Sequence, residues 1–171
     1  MDIRKFIRDV PDFPQQGVLF RDITPVLEDP AALQAAMDGL AALLAPVDYD
    51  KLAALESRGF LFGTPLAVRL DKPLVLMRKS GKLPCETVAE TYALEYGEAT
   101  LELHCNALAK GERVVVVDDL LATGGTARAA GRLVHQLGAE VAAYLFLVEL
   151  GDLKGRELLN DAPVYALVTY S

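Results

Sequence analysis

The chain contains no tryptophan, two cysteines and two histidines in 171 residues. Each scarcity removes a class of explanation. Cys85 and Cys105 have no CxxC spacing and no histidine cluster beside them, so neither a zinc centre nor the disulfide framework of a secreted mini-protein is expected. A reducing cytoplasm is the expected compartment. His104 and His135 stand in neither metal-ligand nor triad spacing and Ser57 has no paired base, which leaves hydrolytic chemistry without support. No apolar run approaches the ~20 residues of a membrane span. Residues 1–6 interleave charged and apolar side chains too finely for a signal-peptide core. Basic residues are in the minority, 17 against 24 acidic for a net charge of −7. That balance argues against a broad nucleic-acid or anionic-membrane surface but permits a local basic site. Neither GxxxxGK[ST] nor GxGxxG occurs, which removes the Walker and Rossmann nucleotide sites.

What is present reads as one globular domain over residues 1–171, with 52% hydrophobic and 24% charged side chains. A chain of this length buries on the order of 70% of its unfolded surface and needs no covalent staple. Residues 3–10 suit a short amphipathic helix, and Pro11, Pro14 and Gly17 then force an irregular path. Asp29-Pro30 introduces a helix over 31–45, with Leu33, Met37, Leu40 and Leu44 at spacings of three and four. Residues 52–55 and 73–77 read as strands on either side of a helix over 60–70. Residues 78–98 are polar and unpatterned. A loop of about that length in a compact domain is expected to be a mobile functional element, here a lid.

Four valines at 114–117 predict a strand buried on both faces, ending at Asp118-Asp119. A helix over 127–137 follows, with Gly138 as its stop, and strands are expected over 141–148 and 164–170. The alternation predicts an α/β fold with a mostly parallel central sheet flanked by helices.

Ligands of such sheets bind beyond the carboxyl ends of the strands, so the polar residues there carry most of the information. Thr123-Gly124-Gly125-Thr126 offers two hydroxyls, two glycines that let backbone N–H groups crowd an anion, and a helix N-terminus. The same residues would also serve as an ordinary capped turn. Asp118 and Asp119 just upstream would repel a phosphate and call for hydroxyl donors or a cation. A ribose 5-phosphate satisfies both halves at once.

Glu56-Ser57-Arg58-Gly59 forms a second polar strand end suited to a pyrophosphate, although Arg58 could equally pair with an acid. Arg78, Lys79 and Lys82 place three cations at the opening of the lid, either as a solvated turn or as cover for a polyphosphate. Glu95, among apolar neighbours, is either a surface acid or, if a closing lid desolvates it, a group that exchanges a proton with a bound base. Phe20 beside Arg21 would suit a flat heterocycle or a core position.

The run V-V-V-V-D-D-L-L-A-T-G-G-T at 114–126 closely resembles the phosphoribosyl-diphosphate signature of type I phosphoribosyltransferases. F-P-Q-Q-G-V-L-F-R-D-I-T-P (13–25), E-S-R-G-F-L-F-G (56–63), R-K-S-G-K-L-P (78–84) and E-T-Y-A-L-E-Y-G (90–97) are similar, in the same order, to the branch that acts on adenine. The resemblance spans nearly the whole chain. It implies a small hood built from residues 1–28, a homodimer, adenine and phosphoribosyl diphosphate as substrates, and Mg²⁺ held mainly through substrate and water near Asp118 and Asp119.

By the same resemblance, Asp118 and Asp119 hold the ribose hydroxyls, and Ala122, Thr123, Gly124, Gly125 and Thr126 hold the 5-phosphate. Ser57, Arg58, Gly59, Lys79 and Lys82 meet the pyrophosphate, with Arg78 directed there or to the neighbouring subunit's site. Glu95, Arg58 and Lys79 are the implied catalytic groups. Leu19, Phe20, Arg21 and Leu120 receive the adenine, and the Glu56–Ser57 peptide is expected to be cis. Glu56 stands where some relatives carry Asp. The alternatives are transfer to hypoxanthine, guanine or xanthine, and a non-catalytic sensor of phosphoribosyl diphosphate.

Overall fold

The computed structural model describes residues 1–93 and 97–171. A 3-10 turn over Ile3–Phe6 leads into β1 (Arg8–Pro11), which pairs antiparallel with β2 (Leu19–Asp22). The helix expected over 3–10 is thus confined to its first turn, because the ladder to β2 draws the backbone from Arg8 onward into an extended path. The Asp22 carboxylate accepts the Thr24 hydroxyl and N–H at 2.5 and 2.9 Å and an Arg8 N–H at 2.5 Å. Those bonds, Thr24 first, lower its pKa to about 2 and fix the start of the short α1 (Thr24–Glu28).

In α2 (Pro30–Leu44), Asp29 accepts the Ala32 N–H at 2.8 Å and proline occupies the first turn, as the sequence predicts. Its buried side, Ala32, Ala36, Met37, Leu40 and Leu44, packs on the sheet. The chain continues through β3 (Lys51–Leu55), α3 (Gly59–Leu70) and β4 (Leu74–Lys79). β5 (Thr87–Ala93), β6 (Glu98–His104) and β7 (Arg113–Leu121) come next. They are followed by α4 (Gly125–Gln136), β8 (Glu140–Leu150) and β9 (Val164–Tyr170).

The seven strands lie in the order β5-β6-β4-β3-β7-β8-β9. β4, β3, β7, β8 and β9 run parallel, while β6 pairs antiparallel with both β4 and β5. Alternation along β7 sends Val115 and Val117 to the face covered by α2 and α3, and Val114 and Val116 to the face covered by α4. No described helix is long and apolar enough to cross a membrane.

Two expectations are corrected. Residues 78–98 are not one unpatterned loop: Arg78 and Lys79 end β4, and β5 and β6 form a hairpin, leaving residues 80–86 irregular. The T-V-A-E-T-Y-A run carries period-two alternation, with Val88, Glu90 and Tyr92 on the partly buried side, but a half-exposed edge strand shows it only faintly. Glu90 of this hairpin accepts Arg132 and Gln136 of α4 at 2.7 and 3.0 Å, fastening its root. The second correction concerns β7, which extends past Val117 to Leu121. β8 runs alongside as far as Leu150 and pairs Asp118 with Phe146 and Leu121 with Glu149.

Candidate active site

β3 and β7 are adjacent and parallel, with Ala54 opposite Val117, so their carboxyl ends deliver two polar segments to one place. The β3 segment turns at Ser57 through a cis Glu56–Ser57 peptide, as expected, and enters α3 at Gly59. Glycine is required there. A Cβ on Gly59 would fall 2.8 Å from the Val117 carbonyl oxygen and 3.0 Å from Asp118 Oδ1, so a side chain would push the start of α3 away from β7.

The Arg58 Nε–H donates to Asp119 Oδ2 at 2.5 Å. Asp119 is 5% exposed, and the Asp119 N–H donates to Asp118 Oδ1 at 2.8 Å. Burial, reinforced by the charge of Asp119, raises the Asp118 pKa well above the ordinary carboxylate range. The Arg58 guanidinium is bonded to Asp119 and acts on Asp118 through its charge alone. The pair retains the capacity to accept hydroxyl donors or a cation's water shell.

α4 starts at Gly125 behind Gly124, whose φ of +87° suits glycine, and Gly124 has no side chain to cap the helix. The first N–H groups of a helix have no intrahelical partners, so here they remain available to an anion and carry the positive end of the dipole. Thr126 contributes a hydroxyl that donates to Tyr92 Oη at 3.2 Å.

These segments surround a cavity of about 350 Å³ lined by Glu56, Ser57, Arg58, Lys79, Asp118, Asp119, Leu120 and all five residues from Ala122 to Thr126. Most of the sequence-predicted set is therefore brought together. Arg78 is turned elsewhere. Its guanidinium donates to both Glu56 oxygens at 3.2 Å and to the Lys82 carbonyl at 3.2 Å. Burial alone would raise the Glu56 pKa, but the bonds from Arg78 and the Lys79 N–H outweigh it and hold it low. Glu56 therefore stays an anion beside the turn, neutralised by Arg78.

Lys82, Leu19, Phe20 and Arg21 are not part of the cavity lining. Phe20 meets Phe13 edge-on at 5.1 Å, while Arg21 pairs with Asp9 and lies 3.9 Å over the Tyr170 ring. Leu19, Phe20 and Arg21 belong to the β1–β2 hairpin. Glu95 lies outside the described residues.

Tyr92, Ala93, Ala99, Leu101 and Phe146 line the cavity without having been singled out from sequence. The alternation through Tyr92 was the available signal for the hairpin residues. Phe146 is legible only through its register with Asp118.

No cluster of three or more potential metal-ligating side chains occurs among the described residues. The two adjacent carboxylates, both lining the cavity, still fit a hydrated divalent ion held mainly through other oxygen ligands and water.

A family described as phosphoribosyl transferase domain matches residues 27–169. The chain is 52% identical over 168 residues to the adenine phosphoribosyltransferase of Agathobacter rectalis, covering 98% of this chain and 97% of that one. It is also 52% identical over 170 residues to that of Pseudothermotoga lettingae, at 99% and 100% coverage. The crystal structure of adenine phosphoribosyltransferase from Thermoanaerobacter pseudethanolicus superposes with a TM-score of 0.95 at 49% identity, over 98% of both chains. The Saccharomyces cerevisiae enzyme, complexed with an imino-altritol bisphosphate and adenine, gives 0.91 at 44% identity over 96% of both. With the family matched over residues 27–169 and relatives about half identical along nearly the whole of both chains, the chain belongs to the adenine phosphoribosyltransferases of the phosphoribosyl transferase domain family.

Proposed function

We propose that this chain transfers the 5-phosphoribosyl group of phosphoribosyl diphosphate to N9 of adenine, giving AMP and pyrophosphate, a reaction of purine salvage. The observation that carries the reading is the joint opening of the Asp118-Asp119 pair and the 122–126 loop into one cavity with Ser57 and Arg58. An anion cradle beside a carboxylate pair matches a sugar phosphate, and the basic turn opposite matches its diphosphate.

In this reading, Asp118 and Asp119 accept the ribose hydroxyls, and the 122–126 backbone and threonine hydroxyls hold the 5-phosphate. Ser57, Arg58, Gly59, Lys79 and Lys82 receive the pyrophosphate. As the bond to the anomeric carbon breaks, negative charge gathers on the departing group, and Arg58 and Lys79 are the cations that stabilise it. Mg²⁺, when bound through the diphosphate and water near Asp118 and Asp119, supplies further neutralisation of that charge. Arg78, held by Glu56, positions the end of β4. Leu120 and the hood residues Leu19, Phe20 and Arg21 hold the base, and Glu95 manages its proton near N7.

The test is pyrophosphate release with Mg²⁺, phosphoribosyl diphosphate and each nucleobase in turn. Release with adenine far above the others is the expected result. Release led by hypoxanthine, guanine or xanthine would reassign the base, and binding without turnover on any base would indicate a sensor.

The working form is a homodimer in the cytoplasm. Leu61 and Val68, two turns apart on α3, are 46% and 80% exposed, and Leu76 of β4 is 39% exposed. Such exposed apolar side chains suit a second copy. Cys85 and Cys105 are both free and exposed, which fits a reducing compartment. Sedimentation is expected to give the mass of two chains for the native protein and of one for Val68→Lys. A native monomer would exclude the dimer.

A further inference from the structure

Among the described residues two charged side chains are buried, Asp119 and Glu149, each 5% exposed. The transfer reaction uses the first and has no role for the second. Glu149 sits in β8 opposite Leu121, immediately before the phosphate loop. It is gripped by Arg156, whose Nε–H and Nη2–H donate to Oε1 and Oε2 at 2.9 and 2.6 Å, a two-point geometry that fixes direction as well as distance. Arg156 Nη1–H also donates to the Val164 carbonyl at 2.6 Å. One guanidinium therefore ties the single turn Gly155–Leu158 to the end of β8 and the start of β9.

The residue before Arg156 is Gly155, which is buried. A Cβ there would collide with the Ala122 carbonyl oxygen and fall 2.9 Å from the Gly124 nitrogen. A Cβ on Gly124 would in turn fall 2.5 Å from the Gly155 carbonyl oxygen. The two backbones touch with no room for a side chain on either. The loop that is to present its N–H groups to a phosphate rests on a segment distant in sequence, anchored by an ion pair whose carboxylate is buried and whose guanidinium is half exposed.

We propose that Gly155, held in place by the Arg156–Glu149 pair, is a positioning element for the 5-phosphate site. It fixes the backbone of residues 122–124 in the shape that binds the phosphate end of the substrate and leaves the pyrophosphate end untouched. The proposal rests on the assignment of the 122–126 loop to the 5-phosphate.

The test compares ribose 5-phosphate, as a competitive inhibitor, with pyrophosphate binding in the full-length protein. Gly155→Ala is expected to weaken ribose 5-phosphate about tenfold or more, since displacements of an ångström at a preorganised site have effects of that size. The KM for phosphoribosyl diphosphate should rise in step while pyrophosphate affinity stays the same. Arg156→Lys keeps the charge but removes the fork. It should weaken ribose 5-phosphate to a smaller degree with the same selectivity, and it decides the question if Gly155→Ala does not fold.

Folded variants with unchanged ribose 5-phosphate affinity would overturn the proposal, as would equal losses for both ligands. Thr126→Val separates the two levels of inference. If it weakens ribose 5-phosphate while the rear-wall variants do not, only the positioning role fails. If it has no effect, the loop assignment itself fails.

Discussion

Asp119→Asn is expected to leave a folded chain whose kcat/KM for phosphoribosyl diphosphate falls about a hundredfold or more, since charge-assisted hydrogen bonds to buried groups contribute roughly 1.5–3 kcal/mol each. Asparagine keeps the shape and one acceptor oxygen, and the Arg58 side chain is 54% exposed, so water can solvate the guanidinium that loses its ionic partner. A modest change in thermal unfolding should therefore accompany a large kinetic defect. Asp118, relieved of its neighbour's charge, will ionise more readily, since that charge is one cause of its raised pKa. The surviving carboxylate cannot accept both ribose hydroxyls in the same geometry. Steady-state kinetics beside a melting curve separate the two effects, and native kinetics in the variant would remove the diol assignment.

Glu95→Gln should lower kcat by about 10²–10⁴-fold, the span usual for loss of a positioned acid or base, while phosphoribosyl diphosphate binding changes little. As N9 of adenine attacks, positive charge develops on the ring and the proton near N7 becomes acidic. A carboxylate within reach stabilises that charge and accepts the proton, whereas an amide of the same shape does neither. Equal kcat in native and variant protein would exclude Glu95 from the chemistry.

The most legible parts of the chain were those whose requirements are local. Consecutive valines at 114–117 specify a two-sided buried strand, and Thr123-Gly124-Gly125-Thr126 announces an anion-binding turn because both its glycines and its hydroxyls lie within one short stretch. α2 was readable for the same reason, with Asp29, Pro30 and the leucine spacing all adjacent.

Pairing with distant segments was less legible. β7 continues to Leu121 because β8 accompanies it, and no property of Asp-Asp-Leu-Leu alone predicts that. β5 lies within the 78–98 stretch whose composition suggests a loop, because a strand exposed on one side can be polar and Thr and Glu mask its alternation. Nothing local in Arg-Lys-Ser-Gly-Lys announces that Arg78 donates to both oxygens of Glu56, a residue 22 positions away. Gly155 gave no sequence signal at all, since the carbonyl that forbids its side chain belongs to Ala122.

The β1–β2 hairpin shares no ladder with the seven-stranded sheet. It is moored to the last strand instead, through Arg21 over the Tyr170 ring, and the turn that leads into it is held there by the Arg4 guanidinium on the Thr169 carbonyl at 3.0 Å. Its length and composition can therefore be altered without shifting the register of the strands that carry Asp118, Asp119 and Arg58. On the proposed assignment of the base to Leu19, Phe20 and Arg21, redesign of nucleobase preference can treat this hairpin as an exchangeable module, grafted from another scaffold onto an unchanged sugar-phosphate platform.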